Sequence, residues 1–188
     1  DMVQCGQIRK EGENMRAYER LMRYAGVNTT SFEENMDKTP SGEGQWDLAR
    51  LLETEMKEMG FTGVETDAHA YVYGFLPATP GMENRKCLGL IAHLDTVNDC
   101  GGTDCHPKAV FDYDGKALPL GTSGLVLDPE IFTHLKDCVG KTLVVTDGTS
   151  VLGADDKAGI AEIMTLCERL INEKIPHGPI SVCFPPDE

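Results

Sequence analysis

Apolar positions first recur at helical spacing. Met15, Tyr18, Leu21, Met22 and Ala25 fall on one face of a helix predicted over 15–25. The polar stretch 28–44, broken by Pro40, Gly42 and Gly44, reads as a loop. Ser41 is placed to cap a second helix with Glu43 in its first turn. Leu48, Leu51, Leu52, Met56 and Met59 then share a face, and Gly60 ends it. Beyond Gly60 the period shortens to that of strands over 64–66 and 70–76, and the unbroken apolar run 87–92 suits a buried strand. Residues 98–128 are rich in Gly, Asp and Pro, with a weak strand signal over 110–113. Pro129 opens a short predicted helix through Ile131, Leu135 and Val139, and 142–146 reads as another buried strand. The clearest helix starts near Asp156, where Ile160, Ile163, Met164, Cys167, Leu170 and Ile171 keep the helical period. Pro176 and Gly178 mark its end, and Ile180, Val182 and Phe184 alternate as a last strand. Strands interleaved with helices predict an α/β domain, three-layered, around a mixed, partly parallel sheet.

Three polar clusters stand at comparable places in this layout. In His93-Leu94-Asp95-Thr96, directly after the run 87–92, His93 and Asp95 share one side of an extended chain. A carboxylate beside a histidine fixes its ring direction, as behind many metal ligands, but a satisfied structural histidine fits the pair as well. In Gly153-Ala154-Asp155-Asp156-Lys157-Ala158-Gly159, helix-dipole complementarity accounts for one aspartate; the flanking glycines argue for close backbone approach in a crowded site. The third cluster, Pro185-Pro186-Asp187-Glu188, gains weight from following the strand over 180–184. In open α/β sheets ligands bind beyond the carboxyl ends of strands. One imidazole and several carboxylates converging there suit a divalent ion, zinc or manganese. Asp112-x-Asp114-Gly115 resembles the start of a calcium loop, but its glycine comes too early and Ser123 stands where the closing glutamate belongs. It reads as a turn.

Composition narrows the partners. Of 188 residues, 31 are acidic and 17 basic, a net charge of -14, which disfavours nucleic acid and anionic membranes as partners. The seven cysteines are scattered and odd in number, and Cys100 and Cys105 lack zinc-site spacing, so the thiols are expected reduced and the protein cytoplasmic. No apolar run approaches the ~18 residues of a membrane span. A chain opening on Asp1 and closing on Glu188 directly after a strand is expected to be a fragment, with 1–188 the N-terminal portion of a catalytic domain.

Five segments, in order, together resemble the peptidase T branch of the M20 (clan MH) metallopeptidase family. They are Thr39-Pro-Ser-Gly-Glu-Gly-Gln-Trp46, Ile91-Ala-His-Leu-Asp-Thr96, the block from Thr146 to Met164, Ile175-Pro-His-Gly178 and Phe184-Pro-Pro-Asp-Glu188. The His-x-Asp motif is shared across the wider family; the block 146–164 specifies the branch. The resemblance implies a zinc-exopeptidase-like fold and a tripeptide-directed aminopeptidase with two divalent ions, zinc or else manganese or cobalt. It implies that His93 is a terminal metal ligand and Asp95 the carboxylate orienting it. Asp155 corresponds to the aspartate bridging both ions, Asp156 to the neighbour joined to it by an unusual peptide geometry, and Glu188 to the general base. It further implies ligands and a lid domain beyond this sequence, so that the piece alone is expected to be inactive. The family usually carries Thr where this chain has Pro185, which bears on how the loop presents Glu188. Two alternatives stay open: a dipeptidase or amidohydrolase of the same family, and a non-catalytic remnant acting as a binding module. Short peptides are the expected substrates; oligomeric state is not legible.

Overall fold

The computed structural model describes residues 14–35, 37–98 and 104–188, and Cys5 and Cys100 lie outside them. The elements in chain order are α1 (Ala17–Ala25), α2 (Gly44–Met59), β1 (Thr62–Thr66), β2 (Val72–Leu76), β3 (Leu88–Ile91), β4 (Lys108–Val110), β5 (Leu118–Pro119), β6 (Val126–Leu127), β7 (Leu143–Val145), α3 (Ala154–Asn172) and β8 (Ile180–Phe184), with short 3-10 turns at Glu33–Asn35 and Thr133–Cys138.

The main sheet has the order β1-β2-β8-β3. β8 runs antiparallel to β2, with Val72 opposite Phe184, and parallel to β3, with Leu90 opposite Val182. The sheet is therefore mixed, with flanking helices, as the alternation of periods predicts. Its period-two pattern divides the faces. Val72, Leu76, Ile180, Val182 and Phe184 point into a core shared with Leu48, Leu52 and Met56 of α2 and Ile160, Met164 and Cys167 of α3. Gly74 lies where α2 crosses: a Cβ there would sit 2.7 Å from Met56 Sδ. Tyr73, Phe75 and Ile91 occupy the opposite, exposed face.

α1 packs on α3 through buried charge. Arg20, 2 % exposed, donates to Glu55 Oε2 at 2.6 Å and lies 3.2 Å from Glu168, while the Tyr24 hydroxyl donates to the same Glu55 oxygen at 2.6 Å. Arg23 also pairs with Glu55. Charges taken this far from water persist only when paired and hydrogen-bonded.

Four local expectations are corrected. Ser41 does not cap α2: Glu43 is the N-cap residue, and the Ser41 hydroxyl is committed to Asp187. The run 87–92 forms an edge strand rather than a buried one, leaving Leu88 and Ile91 half or more exposed. The helix after Pro129 is reduced to a short 3-10 turn, Thr133–Cys138, in which Leu135 is buried, while Ile131 and Val139 lie outside it and face solvent. The strand at 142–146 pairs with β4 in a separate two-stranded sheet and buries only Val145. In the last three cases a hydrophobic pattern gave the element and its neighbours decided the burial. The Asp112–Gly115 segment is a turn, with both Asp114 oxygens bonded to Lys116.

Candidate metal centre

Parallel pairing brings the first and third polar clusters together. The ladder between β3 and β8 outlasts both strands: Ala92 N–H donates to Cys183 O at 3.4 Å and Leu94 N–H to Pro185 O at 2.8 Å. Two chains leaving a sheet side by side in the same direction put 93–95 next to 187–188. Pro185 sacrifices nothing in this ladder, because its carbonyl is the group used.

The second cluster arrives from the start of α3. Gly153 has φ +69°, and a Cβ there would lie 2.7 Å from Thr96 Cγ2. The close approach that its glycines suggested is thus real. The two aspartates divide their work. Asp156 Oδ1 accepts the Gly159 N–H at 3.0 Å, satisfying a first-turn donor of α3, and a Cβ at Gly159 would overlap that oxygen at 2.3 Å. Asp155, its side chain 95 % exposed, faces His93 instead. The peptide joining them is cis.

His93 is the hub. Its Nε2 lies 3.1 Å from Asp155 Oδ1 and 3.3 Å from Glu188 Oε2, and its Nδ1 lies 3.2 Å from Asp95 Oδ1. Asp95 is buried, and its Oδ1 also accepts the backbone N–H of Glu188 at 3.0 Å. All four site residues expected from the sequence, His93, Asp95, Asp155 and Glu188, therefore meet in one place. Burial works against a charged imidazole, but the hydrogen bond with Asp155 and the charges of Asp95, Glu188 and Asp155 outweigh it, so the His93 pKa is raised above its usual 6.5. Nearby, burial pulls the Lys157 ammonium down to about 8, while its Nζ donates to Val27 O at 2.7 Å.

The donor chemistry fits a divalent cation. Ligands at about 2.0–2.1 Å around a tetrahedral ion stand roughly 3.3 Å from one another, close to the 3.1 Å His93–Asp155 separation. The donor count falls short. Among the described residues no group of three or more His, Cys, Asp or Glu side chains forms a complete metal site.

Sequence reasoning passed over the anchors behind the site. Asp187 accepts hydrogen bonds from Ser41 N–H, Ser41 Oγ and Gln45 Nε2, all at 2.6–2.7 Å. The only sequence signal was the segment 39–46, more than 140 positions away, whose place in space no periodicity reveals.

The same arrangement of a mixed sheet with helices packed on it is found in solved structures. Aminopeptidase PepT from Bacillus cereus superposes with a TM-score of 0.57 at 22% identity, covering 90% of this chain and 35% of that one. Aminoacylhistidine dipeptidase from Vibrio alginolyticus gives 0.54 at 24% identity, covering 92% and 27%. In sequence the chain is similar to peptidase T. That of Shewanella sediminis is 45% identical over 171 residues, 90% of this chain and 41% of the relative, and that of Desulfitobacterium hafniense is 49% identical over 172 residues, with the same coverage. The chain thus spans about two fifths of the length of the curated relatives it matches. No protein-family model matches it.

Proposed function

We propose that this chain contributes two of the ligands of a two-metal centre in an aminopeptidase that releases the N-terminal residue from short peptides, tripeptides in particular. The observation that carries the reading is the His93 imidazole, set between Asp155 and Glu188 on one side and Asp95 on the other. The similarity to peptidase T supports it.

In this reading His93 and Asp155 would hold the divalent ions, zinc or alternatively manganese or cobalt. A divalent ion there supplies Lewis acidity, bringing a water's pKa to roughly 7 and polarising a carbonyl. Asp95 accepts the Nδ1 proton of His93, which leaves the Nε2 lone pair facing the site. Glu188, 75 % exposed at its side chain and tied by its backbone to Asp95, is free at its carboxylate to take a proton from the nucleophilic water and pass it to the leaving amine. Two ligands are fewer than the roughly four donors of a zinc site, so the remaining donors come from elsewhere in the complete enzyme and this chain alone is inactive.

No helix among the described residues is long and apolar enough to cross a membrane, and Cys87, Cys105, Cys138, Cys167 and Cys183 are free thiols. The free thiols fit the cytoplasm we propose.

The test is hydrolysis of a tripeptide by the full-length zinc-loaded enzyme, with Glu188→Gln alongside wild type. The expected result is retained zinc and a turnover reduced at least 100-fold. Normal turnover by Glu188→Gln refutes the general-base role. Preferential cleavage of dipeptides or N-acyl amino acids selects the related dipeptidase or amidohydrolase reading, and cleavage of none selects a binding module.

A further inference from the structure

The segment 39–46 has no part in the chemistry proposed above, yet it is built with unusual constraint. A Cβ on Gly42 would sit 2.0 Å from Thr30 O, and one on Gly44 would sit 1.8 Å from Asn28 O. No side chain fits at either position, so the backbone of 42–44 lies directly on that of 28–30. That stretch in turn pairs with the motif carrying Asp95: Thr96 N–H donates to Thr29 O at 3.2 Å and Ser31 N–H to Thr96 O at 3.0 Å. The segment is thus seated on the wall of the metal centre.

What it presents from there is a clamp. Ser41 N–H donates to Asp187 Oδ2 at 2.7 Å, Ser41 Oγ to Oδ1 at 2.7 Å, and Gln45 Nε2 to Oδ1 at 2.6 Å. The return bond runs from Asp187 N–H to Gln45 Oε1 at 3.2 Å, so Gln45 grips both the side chain and the backbone of Asp187. Gln45 is fully buried and Ser41 is 6 % exposed. Ser41 is itself fixed, since its Oγ accepts Phe32 N–H at 2.9 Å and its carbonyl accepts Asn35 Nδ2 at 3.0 Å. Asp187 is held at φ +48°, a left-handed conformation that residues with a Cβ adopt sparingly. The next residue is Glu188, whose N–H is bonded to Asp95.

We infer that Gln45 and Ser41 are positioning residues, which hold Asp187 in its turn and thereby aim the Glu188 carboxylate at the water it deprotonates. The inference rests on the functional reading above. Its physical content is that Glu188, whose carboxylate is largely open to solvent and lies 3.3 Å from His93 Nε2, is oriented through its backbone as well as through that single contact. A misplacement of about 1 Å in a reacting group costs on the order of 100-fold in rate.

The experiment uses the full-length enzyme with Gln45→Met, which keeps the volume and removes both bonds, and Gln45→Glu, which sets two carboxylates against each other. The double variant Gln45→Glu/Asp187→Asn exchanges donor and acceptor across the contact. Amide hydrogen exchange at Asp187 and Glu188 is read in the metal-free protein; kcat, KM for a tripeptide and zinc affinity are read in the loaded one. The clamp predicts faster exchange in both single variants and a kcat lower by about 10–100-fold. It also predicts that KM and zinc affinity stay within about threefold and that the double variant recovers most of the kcat. Exchange unchanged from wild type overturns the inference, as does kcat within twofold of wild type. A loss of kcat that tracks loss of zinc and is not recovered by the double variant also overturns it, because that is a purely structural role. Should a Gln45 variant fail to fold, Ser41→Ala carries the same readouts. A wild-type enzyme that cleaves no peptide refutes the functional reading instead, and the exchange arm still decides whether the clamp exists.

Discussion

Glu188 and Asp95 are joined by a hydrogen bond from the backbone N–H of the first to Oδ1 of the second, 3.0 Å long, and that same oxygen faces His93 Nδ1 at 3.2 Å. One buried carboxylate therefore controls two groups: the ring whose other nitrogen faces the site, and the loop that delivers the second carboxylate.

This sharing makes Asp95→Asn a direct test of the support behind His93. The amide oxygen can still accept both bonds but carries no charge to favour the Nδ1–H tautomer. We expect zinc affinity of the full-length enzyme to fall about 10–100-fold by calorimetric titration. Wild-type affinity would show that His93 needs no orienting partner.

Gly153→Ala tests the contact between the start of α3 and the His93 motif. The residue sits at φ +69°, and the added methyl would lie 2.7 Å from Thr96 Cγ2. The left-handed backbone alone costs about 1–2 kcal/mol with a Cβ present. Denaturant unfolding should therefore show destabilisation of roughly 2 kcal/mol or more. Gly140, also at positive φ but with nothing near its Cβ, is the control, and Gly140→Ala should cost about 1–2 kcal/mol.

Cys167 gives a pH signature remote from the site. The residue is fully buried on α3, and burial pushes its thiol up to about 11 from an ordinary 9.0. Between those values the unfolded chain loses a proton that the folded chain keeps. The stability this thiol contributes is therefore present below pH 9 and lost as pH rises to about 11. Across that window wild type should lose roughly 2–3 kcal/mol relative to Cys167→Ala. Parallel pH profiles for the two proteins would contradict it.

Much of this was legible in the sequence because it is local. Helical spacing located α1, α2 and α3, alternation located β2 and β8, and Gly60 ended α2 in the left-handed conformation that glycine permits. The site residues were legible because they follow directly on strand ends or open a helix. Burial was not, since it depends on neighbours: the run 87–92 has the hydrophobicity of a central strand but lies at the sheet edge. β5 and β6, two residues each, are too short for any period to show. The Ser41–Gln45–Asp187 contact was invisible for a further reason. Ser41 satisfies a local rule, helix capping, and only the fold reveals that a carboxylate 146 residues away takes its hydroxyl.

The central claim is that His93 and Asp155 bind the same ion. Diffraction from crystals of the full-length enzyme soaked in zinc, recorded on both sides of the zinc absorption edge, tests it most directly. The account predicts an anomalous peak within about 2.0–2.2 Å of both His93 Nε2 and an Asp155 carboxylate oxygen. A peak bonded to neither, or to His93 without Asp155, would contradict it.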